Sequence, residues 1–275
     1  MHEIGYVEGK NIFIEYRYAE GKFDRLPVLA AELVHLKVAV IVAAGGTPAA
    51  QAAKNATTTI PVVMVGVADP VALGLVASFA RPGANITGLS TMSPELSTKR
   101  LELVKEIVPN VSRVAVLWNP DYPDAVTNMR ETKAAAPLLG IKLQFVEMRE
   151  PNDLEQAFSA MKRDRADALV TINSPNIISQ SKRVVDFAAK SRLPAMYSFR
   201  EYVDDGGLMF YGASLTEMYR RAAIYVDKIL KGAKPANLPI EQRTKFEFVI
   251  NLKTAKQIGL TIPPSVLARA DKIIK

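Results

Sequence analysis

Two rhythms of apolar positions take turns along the chain. Short branched runs such as Val38–Ala44, Pro61–Val65 and Ile86–Leu89 read as buried strands. Between them lie segments whose apolar residues recur three and four apart, as Leu26, Leu29, Ala30, Leu33 and Val34 do within Phe23–Leu36. That spacing predicts helices with one buried face. Asn11–Tyr18, NIFIEYRY, alternates apolar and polar residues after the glycine turn at Gly9 and predicts a further strand. A helix expected over Val71–Phe79 meets the stop signal Arg81-Pro82-Gly83. Strands alternating with helices in this way build a parallel sheet with right-handed crossovers.

The pattern restarts at Pro94 with an amphipathic helix to Val108. Strands follow at Arg113–Trp118, Lys142–Val146, Ala168–Ile172 and Pro194–Tyr197, separated by helices ending near Leu139, Lys162 and Lys190. After the turn Asp204-Asp205-Gly206-Gly207 come a strand, Leu208–Tyr211, and a helix capped by Ser214 that runs to Leu230. The strand within Thr244–Asn251, a short helix to Ile258 and a last helix over Ser265–Ile274 complete the chain. A βα unit arriving after two complete sets predicts a return to the first sheet. The fold class is therefore α/β, with two Rossmann-like lobes and parallel sheets. Residues 1–90 and 206–245 are assigned to the first lobe, and 91–205 and 246–275 to the second. The chain is expected to cross three times, near Ser90–Ser93, Phe199–Gly206 and Lys245–Asn251.

Composition narrows the chemistry. The 275 residues are 49% hydrophobic, enough for a substantial core. No apolar run approaches the ~20 residues that span a bilayer, and Met1–Gly9 has neither a charged nor an apolar signal region. The formal charge is +7, but the basic residues are scattered among acids, the pattern of solvated helix faces rather than a nucleic-acid surface. The chain has no cysteine, which excludes disulfides, thiolate metal sites and cysteine nucleophiles, paired-cysteine racemases included. Of the two histidines, His2 lies near the terminus and His35 closes a helix, so no metal site and no catalytic residue is expected. One stretch stands out. Val38–Asn55 runs from an apolar strand through Gly45 and Gly46 to Thr47-Pro48, read as an N-cap and a first helical residue. Such a turn presents backbone N–H groups at the carboxyl edge of a parallel sheet, where open α/β folds bind ligands. It is also an ordinary βα connection. Asp69-Pro70 falls at the same edge.

Longer blocks carry a family likeness. They are GYVEGKNIFIEYRYAEG at Gly5–Gly21, GGTPAAQAAKNATTTIPVV at Gly45–Val63, DPVALGLVASFARPGANITGLS at Asp69–Ser90, YRRAAIYVDKILKGAKPANLPIEQ at Tyr219–Gln242 and FEFVINLKTAKQIGLTIPPSVLARAD at Phe246–Asp271. Together they resemble the solute-binding proteins of ABC transporters with the type I periplasmic-binding fold, in the branch that includes tryptophan- and tyrosine-type binding proteins. The resemblance implies a non-enzymatic receptor, periplasmic or lipid-anchored outside the cytoplasmic membrane. It would need no cofactor, would close two lobes on a small-molecule solute and would present it to the permease of an importer. Members begin with a signal segment, a first strand and a first helix ahead of the GYVEG turn, whereas Met1–Ile4 matches only the tail of that helix. The first strand of the first lobe is thus expected to be missing, by a truncated start or a rearranged lobe, and association through that lobe is expected.

In this frame the cleft-facing turns supply the candidate ligands: Gly46, Thr47 and Asp69 from the first lobe, and Asn119, Tyr122, Asn173, Ser174, Tyr197, Ser198 and Arg200 from the second. Thr47 offers a hydroxyl beside helix N–H groups, and Asp69 a carboxylate for an ammonium group, though Asp-Pro is also common turn chemistry. Tyr122 and Tyr197 can stack on an apolar or aromatic body. Arg200 can grip a carboxylate bidentately or form a surface pair with Glu201. The mixture suits an amino acid or an aromatic or carboxylate compound. Two other readings remain open. A Rossmann-like enzyme would need a glycine fingerprint, nucleophile elbow or Walker sequence, none of which is found. The sensor domain of a transcription regulator would need a helix-turn-helix ahead of Gly5.

Overall fold

The computed structural model describes every residue except Gly21, Met92, Asn173 and Arg243–Lys245, and of 93–95 the backbone only. In chain order the elements are α1 (Leu26–His35), β1 (Ile41–Ala43), α2 (Gly46–Ala56), β2 (Val62–Val67), β3 (Ile86–Ser90), α3 (Ser93–Ile107), β4 (Arg113–Trp118), α4 (Pro123–Ala135), β5 (Lys142–Glu147), α5 (Leu154–Arg163) and β6 (Ala168–Thr171). They continue with α6 (Pro175–Ile178), α7 (Ser181–Lys190), β7 (Ala195–Tyr197), α8 (Glu201–Asp204), β8 (Met209–Ala213), α9 (Leu215–Leu230), β9 (Glu241–Gln242), β10 (Phe246–Asn251), α10 (Leu252–Ile258), α11 (Pro264–Leu267) and β11 (Lys272–Ile274). The chain divides into two compact units. One comprises Met1–Met92 with Ser214–Thr244, the other Ser93–Ala213 with Lys245–Lys275.

The first unit is built on a parallel sheet in the order β1-β2-β3-β9. One of its two inner strands is the apolar run of β2, where Val62, Val63, Met64, Val65 and Val67 are all buried. Small residues on α2, Ala50 and Ala53, join Ile41, Ala43, Met64 and Ile86 in the core. The return segment contributes α9, whose buried face is Met218, Ala222, Tyr225, Val226 and Ile229. Ser214 caps that helix, its side chain accepting from Glu217 N at 3.5 Å.

Three expectations fail in this unit. Asn11–Tyr18 forms no strand: a lone bridge joins Glu8 and Ile12, and Phe13, Tyr16 and Tyr18 are exposed. An alternating segment becomes a strand only when a neighbouring strand accepts its ladder. β1 is shorter than expected and is not buried on both faces, since it lies at the sheet's edge with Val42 exposed. Val71–Phe79 is a series of turns rather than a helix. Gly74, at φ +65°, takes the chain out of the right-handed helical region.

The second unit holds a seven-stranded sheet in the order β11-β10-β8-β7-β6-β4-β5. The strands from β5 to β8 are mutually parallel; β10 runs antiparallel to β8, and β11 pairs parallel with β10. Both faces are covered, so its central strands are continuously apolar. Leu101, Val104 and Ile107 of α3 pack with Val114, Val170, Met196 and Ile250. On the opposite face Phe158 of α5 and Val184 and Phe187 of α7 meet Ala115, Leu117 and Leu169.

Here the boundaries assigned from sequence need correction. The strand expected at Leu208–Tyr211 was placed in the first lobe, but β8 pairs with β7 and β10 in the second unit's sheet, and the chain leaves that unit only after Ala213. Register explains this: β8 completes the apolar layer of Met196 and Ile250 through Met209. The helix expected to Lys190 is two helices, α6 and α7, and the last helix ends at Leu267. Its remainder becomes β11, anchored where Phe248 N donates to Asp271 Oδ2 at 2.8 Å and Asp271 N donates to Phe248 O at 2.9 Å.

Candidate functional site

Each parallel strand delivers its chain to a turn at the carboxyl edge of its sheet, the edge at which open α/β folds bind ligands. In the first unit the turn after β1 carries Gly45–Thr47. Gly45, not Thr47, is the N-cap of α2; Gly46 is its first residue and Thr47 its second, with the Thr47 side chain buried. The glycine pair makes the turn by itself, so the helix starts before the threonine. Asp69 ends the turn after β2 with its Oδ1 accepting from Val71 N at 3.2 Å and Ala72 N at 3.0 Å. Ser90 closes the edge, its buried hydroxyl donating to Ala68 O at 2.9 Å.

The second unit brings more of the candidates together. After β4, buried Asn119 accepts from Asp121 N at 2.9 Å through Oδ1, which folds the turn. Tyr122 caps α4 and is buried. Burial pushes its phenol pKa well above the usual range, and the neighbouring Asp124 adds to that by charge and hydrogen bond. After β6, Ser174 is buried and accepts from Ile177 N at 3.4 Å as the cap of α6; Asn173 lies outside the described residues. After β7, Ser198 N donates to Thr171 Oγ1 at 3.3 Å.

Two candidates are committed elsewhere. Tyr197 is a core residue. Its ring stacks on Tyr202 at 4.6 Å and 5°, Gly207 leaves room for it, and burial raises its phenol pKa. Arg200 is not an open cation: it pairs with Glu247 and lies 3.5 Å from Asp204. Sequence reading missed the buried polar group between α3 and α4. There Ser97 Oγ donates to Asn128 Oδ1 at 2.9 Å, Asn128 Nδ2 to Asp124 O at 2.7 Å and Thr132 Oγ1 to Asn128 O at 2.8 Å. Polar residues at apolar spacing were the available signal. Arg100, buried one turn beyond Ser97, was missed for the same reason. Among the described residues no group of His, Cys, Asp or Glu is arranged to hold a metal ion, and no helix is long and apolar enough to cross a membrane.

Known proteins place this geometry in context. A crystal structure of a conserved domain protein from Vibrio cholerae is 34% identical, with a TM-score of 0.92 over 99% of this chain and 90% of that one. The ABC domain from Streptococcus pneumoniae, solved in complex with L-Trp, is 29% identical, with a TM-score of 0.91 over 99% of this chain and 91% of its own. Both likenesses agree with the type I periplasmic-binding fold. In sequence, the tyrosine-binding protein of Clostridioides difficile is 28% identical over 261 residues, 94% of this chain and 74% of that protein. The family model for ABC transporter substrate binding proteins matches residues 1–274. Matched through its whole length, this chain belongs to the ABC transporter substrate binding protein family.

Proposed function

We propose that this protein is the solute receptor of an ABC importer and that its solute is an amino acid with an aromatic or large apolar side chain. The observation that carries the reading is the family match over residues 1–274, seconded by the 0.91 likeness to a domain holding L-Trp. The carboxyl-edge turns of the second unit support it: Asn119, Tyr122, Ser174 and Ser198 offer a hydrogen-bonding rim around buried apolar walls. The receptor works outside the cytoplasmic membrane, hands its solute to a permease and carries out no reaction on it. Isothermal titration calorimetry with the twenty amino acids, a set of aromatic acids, common sugars and inorganic phosphate tests this. Binding confined to aromatic or large apolar amino acids is expected; a best ligand among sugars or phosphates overturns the solute class.

The first unit supports a second association. β1 pairs on one side with β2, and among the described residues it has no ladder partner on the other. A cavity of about 600 Å³ opens beside it, lined by Arg17–Glu20, by Leu29 and Leu33 of α1, by β1 and by Ala49 and Ala53 of α2. An unpaired strand edge next to apolar walls is a template for another strand. Exposed Phe13, Tyr16 and Tyr18 extend the apolar surface. In this reading two copies pair through the first unit. Sedimentation of the 275-residue chain should show dimer, reduced to monomer by the triple change Phe13→Ser, Tyr16→Ser, Tyr18→Ser; monomer at all concentrations overturns it.

A further inference from the structure

Among the described residues Arg100 is the most deeply buried arginine, with 4% of its surface exposed. It sits on α3, packed in the second unit. Its Nε donates to Tyr211 O at 2.7 Å. No carboxylate among the described residues reaches it, and that single bond accounts for one of its five N–H groups. Removing a cation from water without a counter-charge is costly, and here burial depresses the guanidinium pKa to about 10. Its outer nitrogens are nevertheless absent from the buried orphan atoms, which among the described residues are Trp118 Nε1 and Gln144 Oε1. With no hydrogen-bond partner among the described residues, those nitrogens therefore keep a little accessible surface.

Its position matters as much as its charge. Phe210 pairs with Tyr197, the last residue of β7, so Tyr211 stands just beyond the end of that strand. Arg100 is therefore fastened to the carboxyl edge of the sheet, level with the turn that carries Ser198. Arg200, the cation expected at this turn, is neutralised by Glu247 and Asp204. A planar fork with free donors, fixed through its Nε, is the geometry that grips a carboxylate.

We propose that Arg100 holds the carboxylate of the bound solute and makes the receptor selective for free acids over their amides. This assignment rests on the amino-acid reading above. The solute's charge then supplies the counter-ion that the described residues do not provide, and binding offsets the cost of the buried charge.

The experiment is calorimetry with L-tryptophan, L-tyrosine and the amides of both, on the unaltered protein and on Arg100→Gln and Arg100→Lys. Glutamine retains an N–H for Tyr211 O without the charge, and the melting temperature of each empty variant reports folding. The unaltered protein should prefer each acid to its amide by about ten- to a hundredfold. Arg100→Gln should lose that preference by weakening acid binding alone, and Arg100→Lys should recover part of it. Equal affinity of the unaltered protein for acid and amide overturns the proposal even if the glutamine variant fails to fold. An undiminished preference in folded Arg100→Gln overturns the assignment to Arg100 and leaves the amino-acid reading standing. Binding of none of the four compounds by the unaltered protein overturns tryptophan and tyrosine as solutes and this assignment with them.

Discussion

Asp167 shows how much a single side chain can fix. Its Oδ2 accepts from Ser112 N at 2.9 Å, Ser112 Oγ at 3.0 Å and Arg113 N at 2.8 Å, pinning the start of β4 to the start of β6. Partial burial alone would raise its pKa, but these hydrogen bonds and the Arg113 charge outweigh that and leave it below the usual carboxylate value. A depressed folded-state pKa contributes stability above the unfolded value of about 4, and that stability is lost as pH falls through the lower folded value. Because the residue is exposed, the contribution is discounted to about 1 kcal/mol. Asp167→Asn should lower urea stability by that amount at pH 7, with the gap closing as pH drops below about 4. A gap unchanged with pH would show that the charge plays no part. Residue types alone did not reveal such roles. Tyr197 and Arg200 carry the groups a ligand site needs, and only their neighbours, Tyr202 and Glu247, show that those groups are engaged.

Elements depend on neighbours in the same way. Gly88 sits in β3 opposite Met64, with φ +137°, and a Cβ there would lie 2.1 Å from the Met64 carbonyl oxygen. Gly74 also has positive φ, but nothing lies within 4 Å of the Cβ it lacks. Gly88→Ala should therefore disrupt the β2–β3 pairing and cost about 3 kcal/mol or more, whereas Gly74→Ala should cost only the backbone strain, about 1 kcal/mol. Chemical denaturation of both variants decides it: equal losses would mean that close packing at Gly88 contributes nothing. The strands buried on both faces were legible because their apolar runs can be placed nowhere else. Asn11–Tyr18 was misread because its alternation records a preference that only a ladder partner can realise.

For the whole molecule, ligand binding and stability are linked. A solute that binds only the folded protein stabilises it by about 2.7 kcal/mol at a concentration one hundred times its Kd. For a chain of this size that corresponds to roughly 5–10 °C in melting temperature. Differential scanning calorimetry should show such a rise with the amino acid that binds best and a smaller one, about 1–5 °C, with its amide at the same concentration. A solute that binds by calorimetry yet leaves the melting temperature unchanged would have to bind the unfolded chain equally well.

The periodicity of apolar residues determined by itself that this is an α/β protein with alternating strands and helices, and the long blocks at Gly45–Val63, Asp69–Ser90 and Phe246–Asp271 determined its family. Both are legible because local pattern and ordered identity are properties of the chain alone. The assignment of β8 to the second unit, the edge position of β1 and the capping of α2 by Gly45 were decided by tertiary structure. So was the exchange of roles between the two arginines, Arg200 paired with Glu247 and Arg100 buried with no carboxylate partner among the described residues. Each of these depends on which distant residue comes to lie alongside, and hydrogen-bond pairing and charge neutralisation are settled only when those partners meet.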